Sequence, residues 1–340
     1  MTSSGDGTLV LTRDDVGRVL RMPDCIEAVE RAFARHARGE TIPSGVLGTP
    51  VAGGGFHVKS AGLLNAADGR PIFAAKVNAN FPGNPDRHGL PTIQGVIALF
   101  DAADGGVLAL LDSIEITSLR TAAATAVAAK YLAPDHATVT ICGCGAQSRD
   151  QLRALTCVRS VKRVLALDLD AERARRFAED MTVELGLEVH VVPGLDEAAG
   201  ETSIWVTCTP ARRWFLGRAH VGAGAFVAAI GADNPEKQEI EPELLACSAV
   251  VADVLEQCAS MGDLHHAIDA GLMGREAVRA ELADVVSGRR AGRLSPDEIV
   301  VFDSTGTALQ DVAAAALVYE RARSLGVGLT VRLGPGGVHG

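Results

Sequence analysis

The apolar positions along this chain change period more than once, and each change predicts a different kind of element. Between Pro23 and about Arg38 they recur at helical spacing, with Ile26, Val29, Ala32 and Phe33 on one face. From Val46 to Leu111 the pattern becomes strands and turns. The strand candidates are Phe56–Ser60, Phe73–Val77, Gly95–Phe100 and Val107–Leu111, punctuated by turns at Ala67-Asp68-Gly69 and Ala103-Asp104-Gly105. Hairpin turns of this kind predict an antiparallel unit. Thr117 to Leu132 is alanine-rich and reads as a helix stopped by Pro134.

After Pro134 strands and helices alternate. Strands are expected at 138–142, 164–168, 188–192, 203–208, 225–230, 249–253 and 299–303, with helices between most of them, as at 146–158 and 171–185. Such alternation predicts a parallel, doubly wound sheet. A last helical pattern, Gly306–Arg323, lies beyond the sheet and is expected to return to the first unit. The fold class is therefore α/β: a Rossmann-type doubly wound parallel sheet over residues 126–306, plus an α+β domain made of 1–125 and 307–340. The ends, Met1–Gly7 and Leu333–Gly340, are expected to fray.

The most informative stretch lies at the first strand of the alternating half. Thr138–Cys142 is a β-branched strand, Gly143-Cys144-Gly145 follows, and a helix starts at Ala146. About twenty residues later Val164–Asp168 is an apolar run that ends in an acid. Glycines let the backbone turn against a pyrophosphate, the helix N-terminus offers it N–H groups, and the acid accepts hydrogen bonds from a ribose. Asp168 followed by Leu169 favours NAD, because an acid repels a 2′-phosphate. Arg173 and Arg175 nearby keep NADP as the alternative.

Composition narrows the partners. The 340 residues suggest about two domains; 47% hydrophobic and 22% charged residues fit a soluble globular chain. The net charge of −10, with no basic patch, argues against nucleic acid or an anionic membrane as partner. Seven cysteines without a CxxC pair read as reduced small hydrophobes of a cytoplasmic protein, and Cys142 and Cys144 have poor zinc spacing, so no metal is expected. The first ten residues lack a charged-then-apolar leader pattern.

Several polar residues stand where chemistry could use them. Lys76 lies in an apolar strand, which costs free energy unless the amine is paired or turned into a cleft. Arg120 stands near the expected start of the alanine-rich helix, where the macrodipole disfavours a cation. Either it pairs with an acid such as Glu115, or with Lys76 it forms a clamp for a carboxylate. Asp233 follows a sheet strand and could move a proton near a C–N bond, or serve only as turn chemistry in Asp-Asn-Pro. Asp303-Ser304-Thr305-Gly306 is a second strand-to-helix turn, able to cap its own helix or touch a nicotinamide. His57, Lys59 and His88 read individually as surface or turn residues, and His265 and His266 as an exposed helix face.

Together these segments resemble the ornithine cyclodeaminase/mu-crystallin family. The matching stretches are Lys76–Asn84, Gly89–Thr92, Ile116–Ala123, Gly143–Gln147, Gly231–Asp233 with Lys237–Glu239, and Phe302–Gly306. The resemblance implies a small amino-acid or imino-acid substrate, bound NAD(H) or NADP(H), and a homodimer joined through the first domain, which is then a substrate-binding and dimerisation domain. It implies that Lys76 holds the substrate carboxylate, that Arg120 lies near that carboxylate and the cofactor, and that Asp233 is the proton donor and acceptor. Thr92, Gly143, Gly145, Ala146, Gln147, Asp168, Thr207, Lys237 and Ser304 match cofactor positions (Thr209 lies close to Thr207), and Thr305 a substrate-side one.

Two departures stand out. The arginine and then the glutamate that cyclodeaminases carry before the lysine fall near Val46 and at His57, and neither residue type is kept here. Lys59, on the same strand face as His57 by the period of two, could supply the missing positive charge beside the substrate. The lost carboxylate is a candidate contact for cationic substrate groups, which argues against ornithine. The glycine loop ends in Ser148, where alanine or glycine is usual. The expected function is an NAD(P)-dependent oxidoreductase acting on the C–N bond of an α-amino or cyclic imino acid. The alternatives are a cyclodeaminase-type lyase that recycles NAD, and a mu-crystallin-like nucleotide-binding protein with little turnover.

Overall fold

The structure is a computed structural model that describes residues 7–66 and 69–333; the expected turn at Ala67-Asp68 lies outside these, as do residues 1–6 and 334–340 of the ends expected to fray. The chain divides into two compact units, one of Met1–Arg120 with Thr307–Gly340, the other of Thr121–Gly306.

The first unit opens with β1 (Thr8–Leu11), α1 (Arg13–Val19) and α2 (Met22–Ala37). Thr12 begins α1 with a reciprocal capping box to Asp15, and Pro23 stands in the first turn of α2. Four strands follow, β2 (Thr41–Val51), β3 (Gly54–Leu63), β4 (Ile72–Asn80) and β5 (Ile93–Asp101), with the short α3 (Asn84–His88) before β5. Next come β6 (Val107–Asp112) and the long helix α4 (Ser113–Leu132), within which the two units divide.

The second unit continues with β7 (His136–Cys142), α5 (Ala146–Val158), β8 (Ser160–Leu167), α6 (Ala171–Leu185), β9 (Val189–Val191), α7 (Leu195–Ala199) and β10 (Ile204–Thr207). It goes on through β11 (Arg212–Leu216), β12 (Phe226–Ala229), β13 (Gln238–Ile240), α8 (Pro242–Ala246), β14 (Ala249–Ala252), α9 (Leu255–Met261) and α10 (Asp263–Asp269). β15 (Ala280–Glu281), α11 (Leu282–Val286) and β16 (Val300–Asp303) complete it; α12 (Ala308–Leu325) and β17 (Leu329–Val331) then rejoin the first unit.

The first sheet has the order β17-β1-β6-β5-β4-β3-β2. It is antiparallel from β2 to β6, as the hairpin turns imply, but β1 pairs parallel with β6. The large sheet of the second unit is parallel throughout, in the order β15-β14-β16-β12-β10-β7-β8-β9. Its strand order reverses at β7, next to β10, and ligands bind at the carboxyl ends of strands beside such a switch. Strands buried on both faces read as near-continuous apolar runs, and β10, β12, β14 and β16 are buried at every position.

The alanine-rich helix begins four residues before its expected start. The Ile114 N–H donates to Asp112 Oδ1 at 2.9 Å, so the helix starts at Ser113. Arg120 therefore sits about two turns inside it, where the macrodipole argument no longer applies.

Candidate active site

In the first unit the antiparallel register sets Lys59 directly across from Lys76, and Lys76 across from Ile97. Residues paired in this way share a sheet face. His57, opposite Asn78, is on the same face and is exposed. Helix α12 packs on β3 and β4 and brings Asp311 to this cluster. Asp311 Oδ2 lies 2.7 Å from Lys76 Nζ, and Oδ1 lies 2.8 Å from Arg120 Nε. Gln310 Oε1 accepts a 2.7 Å hydrogen bond from Arg120, and Lys76 Nζ reaches Thr117 Oγ1 at 3.4 Å. Lys76, Arg120 and Asp311 are 3%, 4% and 1% exposed. Arg120 thus pairs with Asp311 rather than with the expected candidate Glu115.

Burial, with repulsion from Arg120, brings the Lys76 amine down to about 7, against the opposing pull of Asp311. Burial alone would raise the Asp311 carboxyl, but Arg120 and Lys76 outweigh it and hold it below its ordinary value. Two basic groups share one internal carboxylate, so with Lys76 protonated the trio carries a surplus positive charge, and its recorded bonds use only part of the guanidinium's donor set. A small carboxylate is the natural complement of that arrangement.

The expected clamp was built of Lys76 and Arg120 alone; Asp311 was missed. Its signal lay in α12, whose first turns are buried all round and, apart from Gln310 and Asp311, are alanine, leucine and valine. A buried aspartate in such a run requires a cation. Thr92 also lies in this unit, just before β5, where its carbonyl accepts from Phe81 N–H at 2.8 Å.

In the second unit the glycine turn joins β7 to α5. Gly143 has φ +94°, and a Cβ there would lie 2.6 Å from the Thr209 methyl, so both conformation and close approach require glycine. A Cβ at Gly145 would meet nothing within 4 Å, and the N-terminus of α5 has no side-chain cap. Ala146 and Gln147 form its first turn. Open space at a helix start that has no side-chain cap fits a phosphate. Asp168 Oδ2 accepts from Cys144 N–H at 2.8 Å, and Arg173 lies 3.5 Å from Oδ1. The acid thus also fastens the turn. Ser148 is buried, and its hydroxyl donates to Gly145 O at 2.6 Å, so it fits the tight helix–strand packing.

Thr207 is buried at the end of β10, opposite Cys142 of β7. Asp233 follows β12 and is half-exposed; its Oδ1 lies 2.7 Å from Lys237 Nζ. Ser304 and Thr305 are buried, and both donate to Asp253, which also accepts from Gly306 N–H at 2.8 Å. Asp303 neither caps its own helix nor stands open to a ligand. It accepts from the Asp263 and Leu264 N–H groups at the start of α10, and burial pushes its carboxyl up to about 7. His265 is buried, not on an exposed face, with its ring 3.7 Å from that of His266. Asp253, which organises the Ser304–Gly306 turn, was also missed by sequence reasoning.

The profile of the ornithine cyclodeaminase/mu-crystallin family matches residues 7–326. An alanine dehydrogenase from Archaeoglobus fulgidus is 37% identical over 326 residues, 96% of this chain and 98% of that protein. A solved archaeal alanine dehydrogenase dimer with bound NAD superposes with a TM-score of 0.90 at 36% identity, over 96% of this chain and 99% of that one. Thermococcus litoralis Δ1-pyrroline-2-carboxylate reductase, in complex with NADH and L-proline, gives 0.89 at 32% identity, over 95% and 100% of the two chains. With its cation trio, its glycine turn at the sheet switch point and a profile match over nearly its whole length, the chain belongs to the ornithine cyclodeaminase/mu-crystallin family.

Proposed function

We propose that the protein is an NAD-dependent oxidoreductase acting on the C–N bond of a small α-amino acid or imino acid. The observation that carries this reading is the surplus positive charge of the buried Lys76–Asp311–Arg120 trio, in a chain that also builds a dinucleotide turn. NAD, when bound, supplies or accepts the hydride. Lys76 and Arg120 hold the substrate carboxylate and so fix Cα; Asp311 holds the two cations. Thr305 lies on the substrate side, and Lys59 and His57 flank the clamp on the same sheet face. Asp233 moves the proton to or from the substrate nitrogen. Orienting the reactants in this way supplies several orders of magnitude in rate. Gly143, Gly145, Ala146, Gln147, Asp168, Thr207, Lys237, Ser304, Thr92 and Arg120 hold the nucleotide.

A panel of α-amino acids with NAD, and of the matching imines with NADH, tests this proposal. Absorbance at 340 nm is expected to change one-for-one with product. Ammonia and a cyclic imino acid released without net NADH would instead mark the chain as a cyclodeaminase.

The first unit is also the dimerisation unit in this reading. On the sheet face opposite Lys76, Leu47, Val58, Val77 and Val96 stand in register across four strands. Leu47, Val77 and Val96 are 62%, 37% and 42% exposed, an apolar row that invites burial. Val77→Glu with Val96→Glu is expected to convert a dimer into a monomer by light scattering; an unchanged mass would place the interface elsewhere.

A further inference from the structure

The loop that carries Asp233 is fastened by Glu239, a group the proposed chemistry does not use. Glu239, on β13, is fully buried. The Thr209 N–H and hydroxyl both donate to its Oε1 at 2.6 Å, and the Gly231 N–H donates to Oε2 at 2.8 Å. One carboxylate thus joins the segment after β10 to the segment after β12. The approach is close, since a Cβ on Gly231 would collide with both the Thr209 carbonyl and the Glu239 carboxyl. Thr209 in turn packs where Gly143 must stay bare.

Glu239 is itself held. Asp263 Oδ1 accepts from the Glu239 and Ile240 N–H groups at 2.7 and 2.9 Å, and Asp303 accepts from Asp263 and Leu264. At the far end of the loop, His266 Nε2 meets Lys237 O at 2.9 Å, while Lys237 Nζ holds Asp233. A buried carboxylate costs several kcal/mol unless hydrogen bonds offset it. Burial raises the Glu239 carboxyl, and the Thr209 and Gly231 donors pull it back. These are bonds to a charged acceptor, which are stronger than neutral ones.

We propose that Glu239 is a positioning residue for the proton-transfer step: its carboxylate ties the Thr207–Thr209 and Gly231–Asp233 segments together and so fixes where Asp233 is held. The inference rests on the role proposed for Asp233. Small misplacements of a catalytic group cost up to about 100-fold in rate.

The test is Glu239→Gln, which turns an NH2 toward at least one backbone N–H that can only donate, Gly231 or Thr209, together with the milder Thr209→Val, which removes one donor and serves if Glu239→Gln fails to fold. Amide hydrogen exchange over residues 230–237, measured without nucleotide, is expected to quicken at least tenfold in either variant. On the substrate that the panel identifies, kcat is expected to fall about 10- to 100-fold while the dissociation constant for NADH changes less than threefold. In an Asp233→Asn background the same change is expected to cost no further activity. Unchanged exchange over 230–237, or an undiminished loss in the Asp233→Asn background, would overturn the proposal. If the parent chain turned over no amino or imino acid, the functional reading would fail, and the exchange measurement would still judge whether Glu239 holds the loop.

Discussion

Asp311→Ala is expected to lower the stability of the chain by about 3–5 kcal/mol, the range for removing one partner of a buried ion pair. Asp311 is the carboxylate shared by Lys76 and Arg120, and all three are buried. Without it two cations face each other in a poorly solvated place, with Lys59 directly across the strand pair from Lys76. Urea unfolding followed by circular dichroism measures the loss, and a loss below about 1 kcal/mol would mean that water reaches the cations or that Lys76 gives up its proton.

The pH dependence has a defined sign. Lys76 binds its proton less tightly in the folded chain, at about 7, than in the unfolded one, so its charge opposes folding. That penalty is full below pH 7 and is relieved as pH rises from there toward the ordinary lysine value of 10.5. Removing Asp311 takes away a group that raises Lys76, so the variant sheds this proton at lower pH. The stability gap between parent and variant is therefore expected to narrow as pH approaches 7 from below.

Asp233→Asn is expected to lower kcat by about 10²- to 10⁴-fold, the usual contribution of a positioned acid–base group, with NADH binding intact. The side chain is half-exposed and its recorded ion pair is with Lys237. A pair of that kind contributes at most about 1 kcal/mol, so thermal unfolding should barely change. A large loss of rate with an unchanged melting temperature separates a chemical role from a structural one. A variant that keeps full activity would give proton transfer to another group.

Local rules carried the reading furthest where a few neighbouring residues decide the outcome. Helices at 146–158 and 171–185 fall where the pattern set them, because Gly145 opens the first, Asp170 caps the second, and Gly186 closes it in the left-handed region. The start of α4 was legible too: Asp112 followed three residues later by Glu115 is a capping signature, and weighting it would have moved Arg120 into the helix interior. β2 drew no strand candidate, although the strand-and-turn pattern was read from Val46 onward. It carries Pro43, Gly45, Gly48 and Pro50, lies mostly exposed, and is held in place by its register with β3. β1 and β17 are only four and three residues long and become strands through pairing with distant segments.

By itself the sequence determined the alternation that makes a parallel sheet, the glycine turn after its first strand, and the identity of Lys76, Arg120 and Asp233 as polar residues placed where chemistry could use them. Only the tertiary structure decided what those residues touch. Asp311 is 235 residues from Lys76 along the chain, yet bonded to it, and Asp303 caps a helix that begins forty residues before it. Propensity and periodicity act within a few turns of backbone, whereas a buried charge is compensated by whichever group the packing of distant elements delivers to it.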